Sequence, residues 1–165
     1  MDTGKAGFEY VIETVRDGVV IDREVVHNLI PIEGINYLIN AGIKGASQLS
    51  SWFVGLYEGN YDPVPGDTAA TFPAAATELT AYSEAARPAL TLGAVALGAV
   101  DNQASRAEFT GTTNGKLVYG GFVSSASAKG SGSGVLLSAV RFTSPKSLDA
   151  GTILRVTAGF SIISA

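Results

Sequence analysis

The sequence predicts a mainly β fold: a jelly-roll or β-sandwich domain with one short helix and an N-terminal β-hairpin arm. Three observations carry this expectation. Short runs of β-formers recur between Gly, Pro and Asn turns, a single segment has helical periodicity, and the body of the chain is Ala, Gly, Ser and Thr set among regular aliphatics. At 165 residues the chain fits one domain with an appended arm.

The arm is residues 1–30 and the jelly-roll-like domain residues 31–165. Residues 1–30 hold nine of the charged side chains while the other 135 residues share seventeen, so the two pieces are solvated differently. Phe8 to Val26 alternates β-formers with charge around Asp17-Gly18, the pattern of a hairpin. A two-residue turn there sets Glu13 opposite Asp22, a like-charge pair. A three-residue loop, Arg16-Asp17-Gly18, instead pairs Val15 with Val19 and Glu13 with Ile21, and is the expected form. An isolated hairpin is marginal in water, so it lies on a sheet or a partner, or else supplies the first two strands of the domain.

Pro31 to Ala41 reads as the helix. Pro31 suits the first turn, Glu33 suits the positive end, and Ile32, Ile35, Leu38 and Ile39 form one apolar stripe. Gly42 is the expected αL stop, Gly34 a weak point, and the helix is expected to plug one end of the sandwich. Strands are then expected at Trp52–Tyr57, Pro88–Val100, Arg106–Gly111, Leu117–Ser124, Val135–Phe142 and Thr152–Ile163. Asn114-Gly115 marks a hairpin between Phe109 and Leu117, and Ser125 to Gly134 a flexible loop.

Composition excludes several function classes. The chain is 46% apolar and only 16% charged, which suits extensive burial in a core or an interface. A net charge of −4 with no basic block argues against nucleic acid as a partner. No apolar run approaches a membrane span, and Met1-Asp2-Thr3-Gly4-Lys5 lacks the pattern of a signal peptide, so the expected site of synthesis is a cytoplasm. Cysteine is absent, which removes disulfides and thiolate metal sites.

Chemistry-bearing motifs are few. His27 is the single histidine, with no nucleophile elbow and no second soft ligand to make a triad or zinc site, and reads as structural or exposed. Glu58, Asp62 and Asp67 surround Pro63-Val64-Pro65-Gly66, but their spacing matches no calcium loop and suits turn formation. Gly111 to Lys116 is one residue short of a phosphate loop, and Leu117 stands where Ser or Thr is required. No catalytic residue, metal, cofactor or small-molecule substrate is expected. Ser51 to Tyr82 is the most informative stretch: a β-type run, a Pro/Gly turn cluster and a long small-residue loop of the length that serves binding. Its aromatics divide, with Trp52, Val54 and Leu56 facing one way and Phe53 and Tyr57 the other.

Asn36-Tyr37-Leu38, Trp52 to Tyr57, Asp67 to Ala74, Thr77 to Tyr82, Ala107 to Thr110, Tyr119 to Ser124 with Lys129-Gly130, and Ser138 to Phe142 occur in an order that resembles the cement (head-decoration) proteins of tailed bacteriophages. The likeness is to the jelly-roll cement proteins of short-tailed phages and covers Pro31 to the C-terminus, about four-fifths of the chain. The resemblance implies a non-enzymatic virion protein, made in the host bacterial cytoplasm, that self-associates as a homodimer on the capsid exterior. There it would clamp neighbouring copies of the major capsid protein. Tyr10 and Val25 of the arm, with Asp67, Thr68, Phe72, Thr77 and Tyr82 of the long loop, are the candidate contacts. Two other readings remain open: a phage tail or baseplate component, and a carbohydrate-binding module using Trp52, Tyr57 and Tyr82.

Overall fold

The computed structural model describes residues 5–163, and the leader Met1 to Gly4 lies outside them. The chain folds as a sandwich of two antiparallel sheets. In order come β1 (Lys5–Arg16), β2 (Val19–His27), α1 (Ile32–Gly42), β3 (Phe53–Tyr57), α2 (Phe72–Ala75), β4 (Ala99–Asp101), β5 (Ala107–Thr110), β6 (Leu117–Ser124), β7 (Leu136–Ser147) and β8 (Ile153–Ile163). One sheet runs β2-β1-β8, with β4 and β5 sharing the far side of β8; the other runs β3-β6-β7. The main core lies between them, where Tyr10 and Ile12 of β1, Leu154 and Val156 of β8, and Val54 and Leu56 of β3 are buried together.

The N-terminal hairpin forms, but it is part of the sandwich rather than an arm. β1 is an interior strand, paired along its whole length with β8 from Lys5↔Ile163 to Val15↔Ile153. Its apolar alternation, Phe8, Tyr10 and Ile12, is what buries it. The turn also differs from the expected three-residue loop. Asp17 and Gly18 have φ of 51° and 76°, the positive pair of a type I′ turn. Arg16 opposes Val19 and Val15 opposes Val20, and the register then shifts so that Thr14 meets Asp22 and Glu13 meets Arg23. The like-charge clash is therefore removed by a bulge at Ile21 and not by the turn.

The helix starts at Ile32, one residue later than expected, with Pro31 as its extended N-cap, and Glu33 is more than a dipole partner. Its Oε2 accepts from the N–H of Ala69 at 2.8 Å and of Leu136 at 2.7 Å, locking helix, long loop and β7 together. Gly34 has a packing reason: a β-carbon there would stand 2.6 Å from the carbonyl oxygen of Leu137. Gly42 is not the αL stop. It is the last residue of the helix, and the positive φ comes three residues later, at Gly45 (72°), after Lys44 has donated to Ile39 O.

Strand expectations hold at β3, β5, β6 and β8, within a residue at most ends. Pro88 to Val100 does not form a long strand; Gly93 and Gly98 interrupt it and only Ala99–Asp101 pairs with β8. Asn114-Gly115 does not close a hairpin either, because β5 joins β8 in one sheet while β6 joins the other. That turn carries the chain between sheets and is held by Asp149 Oδ1, which accepts from Gly115 N–H at 2.8 Å. β7 runs on through the expected turn at Pro145. Between Arg141 and Lys146 it leaves the β6 ladder in a bulge, a position that tolerates proline.

The long loop folds back over the outer face of the β3-β6-β7 sheet and makes a second core from Tyr57, Phe72, Ala76, Phe122 and Leu136. Phe72 opens the one-turn helix α2 and meets Tyr57 and Phe122 edge-on at 5.6 and 5.3 Å. Two glycines make room for these rings. A β-carbon on Gly55 would sit 2.2 Å from Phe122, and one on Gly120 2.3 Å from the Tyr57 ring. The strand parity read from the sequence is the observed one, with Val54 and Leu56 facing the main core and Tyr57 the second.

Candidate docking interface

Four of the seven candidate contact residues lie inside the fold. Tyr10 is fully buried and its hydroxyl donates to Ser138 Oγ at 2.7 Å; burial pushes its pKa well above the ordinary tyrosine value. Phe72 is fully buried, and Tyr82 packs edge-on against Phe109 at 5.1 Å. Asp67 is the buried organiser of its turn. It accepts from the Tyr61 hydroxyl at 2.7 Å and from Val64 N–H at 2.8 Å, and the first of these bonds pushes Tyr61 up to about 12. Val25, Thr68 and Thr77 keep surface access, the first on β2 and the other two flanking α2. The stretch from Ser51 to Tyr82 is thus structural: Val54, Leu56, Leu79 and Tyr82 join the main core, while Tyr57, Ala69, Phe72 and Ala76 build the second. Aromatics and a carboxylate in a small-residue loop read equally as contact or as packing, and here packing claims them.

The carboxylates of the turn cluster diverge. Glu58 pairs with Lys116 at 2.7 Å, Asp62 with Arg141 at 3.2 Å, and Asp67 serves its own turn. Among the described residues no group of three or more His, Asp or Glu side chains is placed to hold a metal. His27 is exposed at the sheet edge, 4.0 Å from Glu9.

Two polar clusters escaped the sequence reading. Arg87 and Glu78 form a buried bidentate pair, Nε to Oε1 at 2.8 Å and Nη2 to Oε2 at 2.7 Å. Arg87 also donates to the carbonyls of Ala126 and Ser131, and Gly130 N–H donates to Glu78. Lys129 lies 3.7 Å over the Tyr82 ring and donates to Tyr82 O. The Ser/Gly loop is therefore stapled to the long loop. In the second cluster, Lys146 on β7 meets Asp22 at 2.8 Å and Glu24 at 2.6 Å, tying the β2 edge to the other sheet. Burial alone would raise the Glu24 carboxyl, but hydrogen bonds from Lys146 and Thr143 outweigh it and hold it below its ordinary value. The same balance, reversed in sign, holds Lys146 above its own. No sequence pattern flags either cluster, because their members lie far apart or carry no local motif.

The surface feature of the molecule is apolar. Gly34 seats α1 on β7, and this turns the helix so that Ile32, Ile35, Ile39 and Ile43 stay exposed. An open groove of about 670 Å³ runs between this stripe and the end of β8, lined by Ile35, Leu38, Ile39, Ile43, Phe160 and Ile162, with no charged side chain in its walls. The signal was in the sequence: the stripe continues past Gly42 to Ile43, at i, i+3, i+7 and i+11.

These features define a β-sandwich whose titratable clusters are consumed by internal pairing and whose unsatisfied surface is aliphatic. Comparison with known protein families, with curated proteins and with solved structures gives no match.

Proposed function

We propose that this chain is a non-enzymatic structural protein of a tailed-phage virion, which binds the outside of the capsid and cements neighbouring major capsid subunits. The observation that carries the reading is the uncharged groove beside α1, set on a sandwich whose ionisable clusters already hold the fold together. A surface of that kind gains free energy by apolar burial against a protein neighbour. The short motifs from Pro31 onward that resemble phage cement proteins support the same reading, and the jelly-roll winding is part of the proposal. Many copies, each touching two neighbours, turn modest contacts into durable ones.

Tail or baseplate placement is the competing structural role. A carbohydrate-binding role has less support, since Tyr57 and Tyr82 are buried and Trp52 is half-buried, edge-on to Tyr37 at 5.1 Å. Cryo-electron microscopy of virions carrying this chain tests the proposal. Density for the sandwich is expected on the capsid exterior between coat subunits. Density on the tail, or its absence from purified virions, refutes the proposal.

A further inference from the structure

We infer that the end of the sandwich under α1 holds a binding site for a small uncharged aromatic molecule, a single ring taken into an apolar pocket walled by Trp52 and Tyr37. The pocket is separate from the groove described above and shares only Leu38 and Phe160 with its walls.

It lies where α1 and the segment before β4 close over the seam between the two sheets, and has a volume of about 150 Å³. Leu90 and Leu137, both buried, belong to its floor, and Leu92, 40% exposed, stands at its mouth. Its aromatic walls are two fixed pairs. Tyr37 meets Trp52 edge-on at 5.1 Å, and Phe8 meets Phe160 at 5.1 Å with the rings tilted by 49°. Hydrogen bonds hold the first pair in place: Leu49 N–H donates to the Tyr37 hydroxyl at 2.9 Å, and Leu90 N–H donates to Trp52 O at 2.8 Å. Walls anchored in this way do not collapse onto the space between them, and protein interiors seldom leave a space of that size unfilled.

The chemistry of the lining selects the ligand. It is almost wholly carbon. Water needs several polar partners to settle in such a space, and a sugar needs more, so neither suits it. A dry cavity of about this volume, lined by aliphatic and aromatic side chains, takes up benzene, so the space is that of one ring. Four aromatic side chains offer edge and face contacts that a ring uses and an alkyl chain does not. A phenyl side chain of a partner protein is disfavoured, because it would bring its backbone amides to walls that give them almost no hydrogen-bond partner.

Trp52 is the single tryptophan of the chain, so its emission reports on this pocket alone. Titration of the full chain with bromobenzene, a heavy-atom quencher of indole emission, is the test. Quenching is expected to saturate with a Kd of about 0.1–1 mM, within the ceiling for a ligand of so few atoms. Toluene is expected to reverse it by competition and, alone, to raise the thermal midpoint. Val100→Phe, from the pocket wall, puts a ring of the protein's own into the space and is expected to weaken binding at least about tenfold. Ile39→Ser, in the groove and outside the pocket, is expected to leave binding unchanged. Neither N-acetyl-phenylalaninamide nor methyl β-glucoside is expected to compete. Quenching that stays linear in bromobenzene, or that toluene does not reverse, overturns the inference on the wild type alone. Saturable quenching that survives Val100→Phe, or is lost in Ile39→Ser, overturns it as well, and so does competition by the capped amino acid or the sugar in place of toluene.

Discussion

Replacing Arg87 by methionine keeps most of the side-chain volume and removes the guanidinium from a site where it is fully buried. The Glu78 carboxylate is then left in the interior with a single remaining donor, Gly130 N–H, and the carbonyls of Ala126 and Ser131 each lose a partner. Breaking a buried pair from one side costs about 3–5 kcal/mol, since an uncompensated charge remains. At about 2–4 °C per kcal/mol for a chain of this size, the expected drop in thermal midpoint is roughly 10 °C. Adding Glu78→Gln to Arg87→Met neutralises the stranded charge, and the double variant is expected to recover about 2 kcal/mol relative to the sum of the two single changes. Urea unfolding of the four members of this cycle measures the coupling. Strict additivity would show that the two side chains do not act as a pair, and a loss below about 1 kcal/mol for Arg87→Met would show that the site is wet. Either result refutes the view that this pair staples the Ser/Gly loop to the cover over the second core.

The Lys146 cluster predicts a pH dependence with two limbs. Glu24 has a folded pKa below its ordinary 4.5, so its contribution is fully present above that value and lost as pH falls through the folded pKa; Lys146 is raised above 10.5, so its contribution is present below that value and lost as pH rises through the folded pKa. Thermal midpoints across pH should therefore fall at both ends, and Lys146→Met should flatten the acid limb; an unchanged acid limb contradicts the assignment. The helix glycines predict opposite signs. Gly34→Ala drives a β-carbon to within 2.6 Å of the Leu137 carbonyl, where backbone must move, and should cost about 1–3 kcal/mol. Gly42→Ala meets nothing within 4 Å and should stabilise by up to about 1 kcal/mol through helix propensity. Denaturant midpoints of both variants check this pair, and equal effects would remove the packing argument.

What was legible in the sequence is what local rules control. Alternation placed β6 and β8, and parity along β3 told the two faces apart, because side-chain direction in a strand follows from the backbone alone. The positive-φ pair at Asp17-Gly18 was readable as a turn, yet the register was not, since the clash between Glu13 and Asp22 has two remedies and only tertiary packing chooses the bulge at Ile21. Asn114-Gly115 failed for a related reason: a turn signal says that the chain reverses, not which sheet the next strand enters. Arg87 and Glu78 stayed hidden because a buried ion pair has the composition of a solvated one.

The candidate interface was misplaced by a more general ambiguity. An apolar helical stripe and an aromatic loop were both visible, and one had to cover the other or cover a sheet. The sequence reading gave the stripe to the core and the loop to the partner. In the fold the loop is packed and the stripe stays exposed, and Gly34 is the cause. With no β-carbon it lets α1 approach the Leu136 and Leu137 carbonyls of β7 through its glycine face, so the isoleucine stripe, which cannot approach backbone so closely, is rotated outward. The long loop meanwhile finds the glycine-floored face of β3 and β6, where Gly55 and Gly120 admit Phe122 and Tyr57 and leave a surface that Phe72 can cap. Glycine positions thus decide which apolar surface is consumed within the chain and which stays exposed.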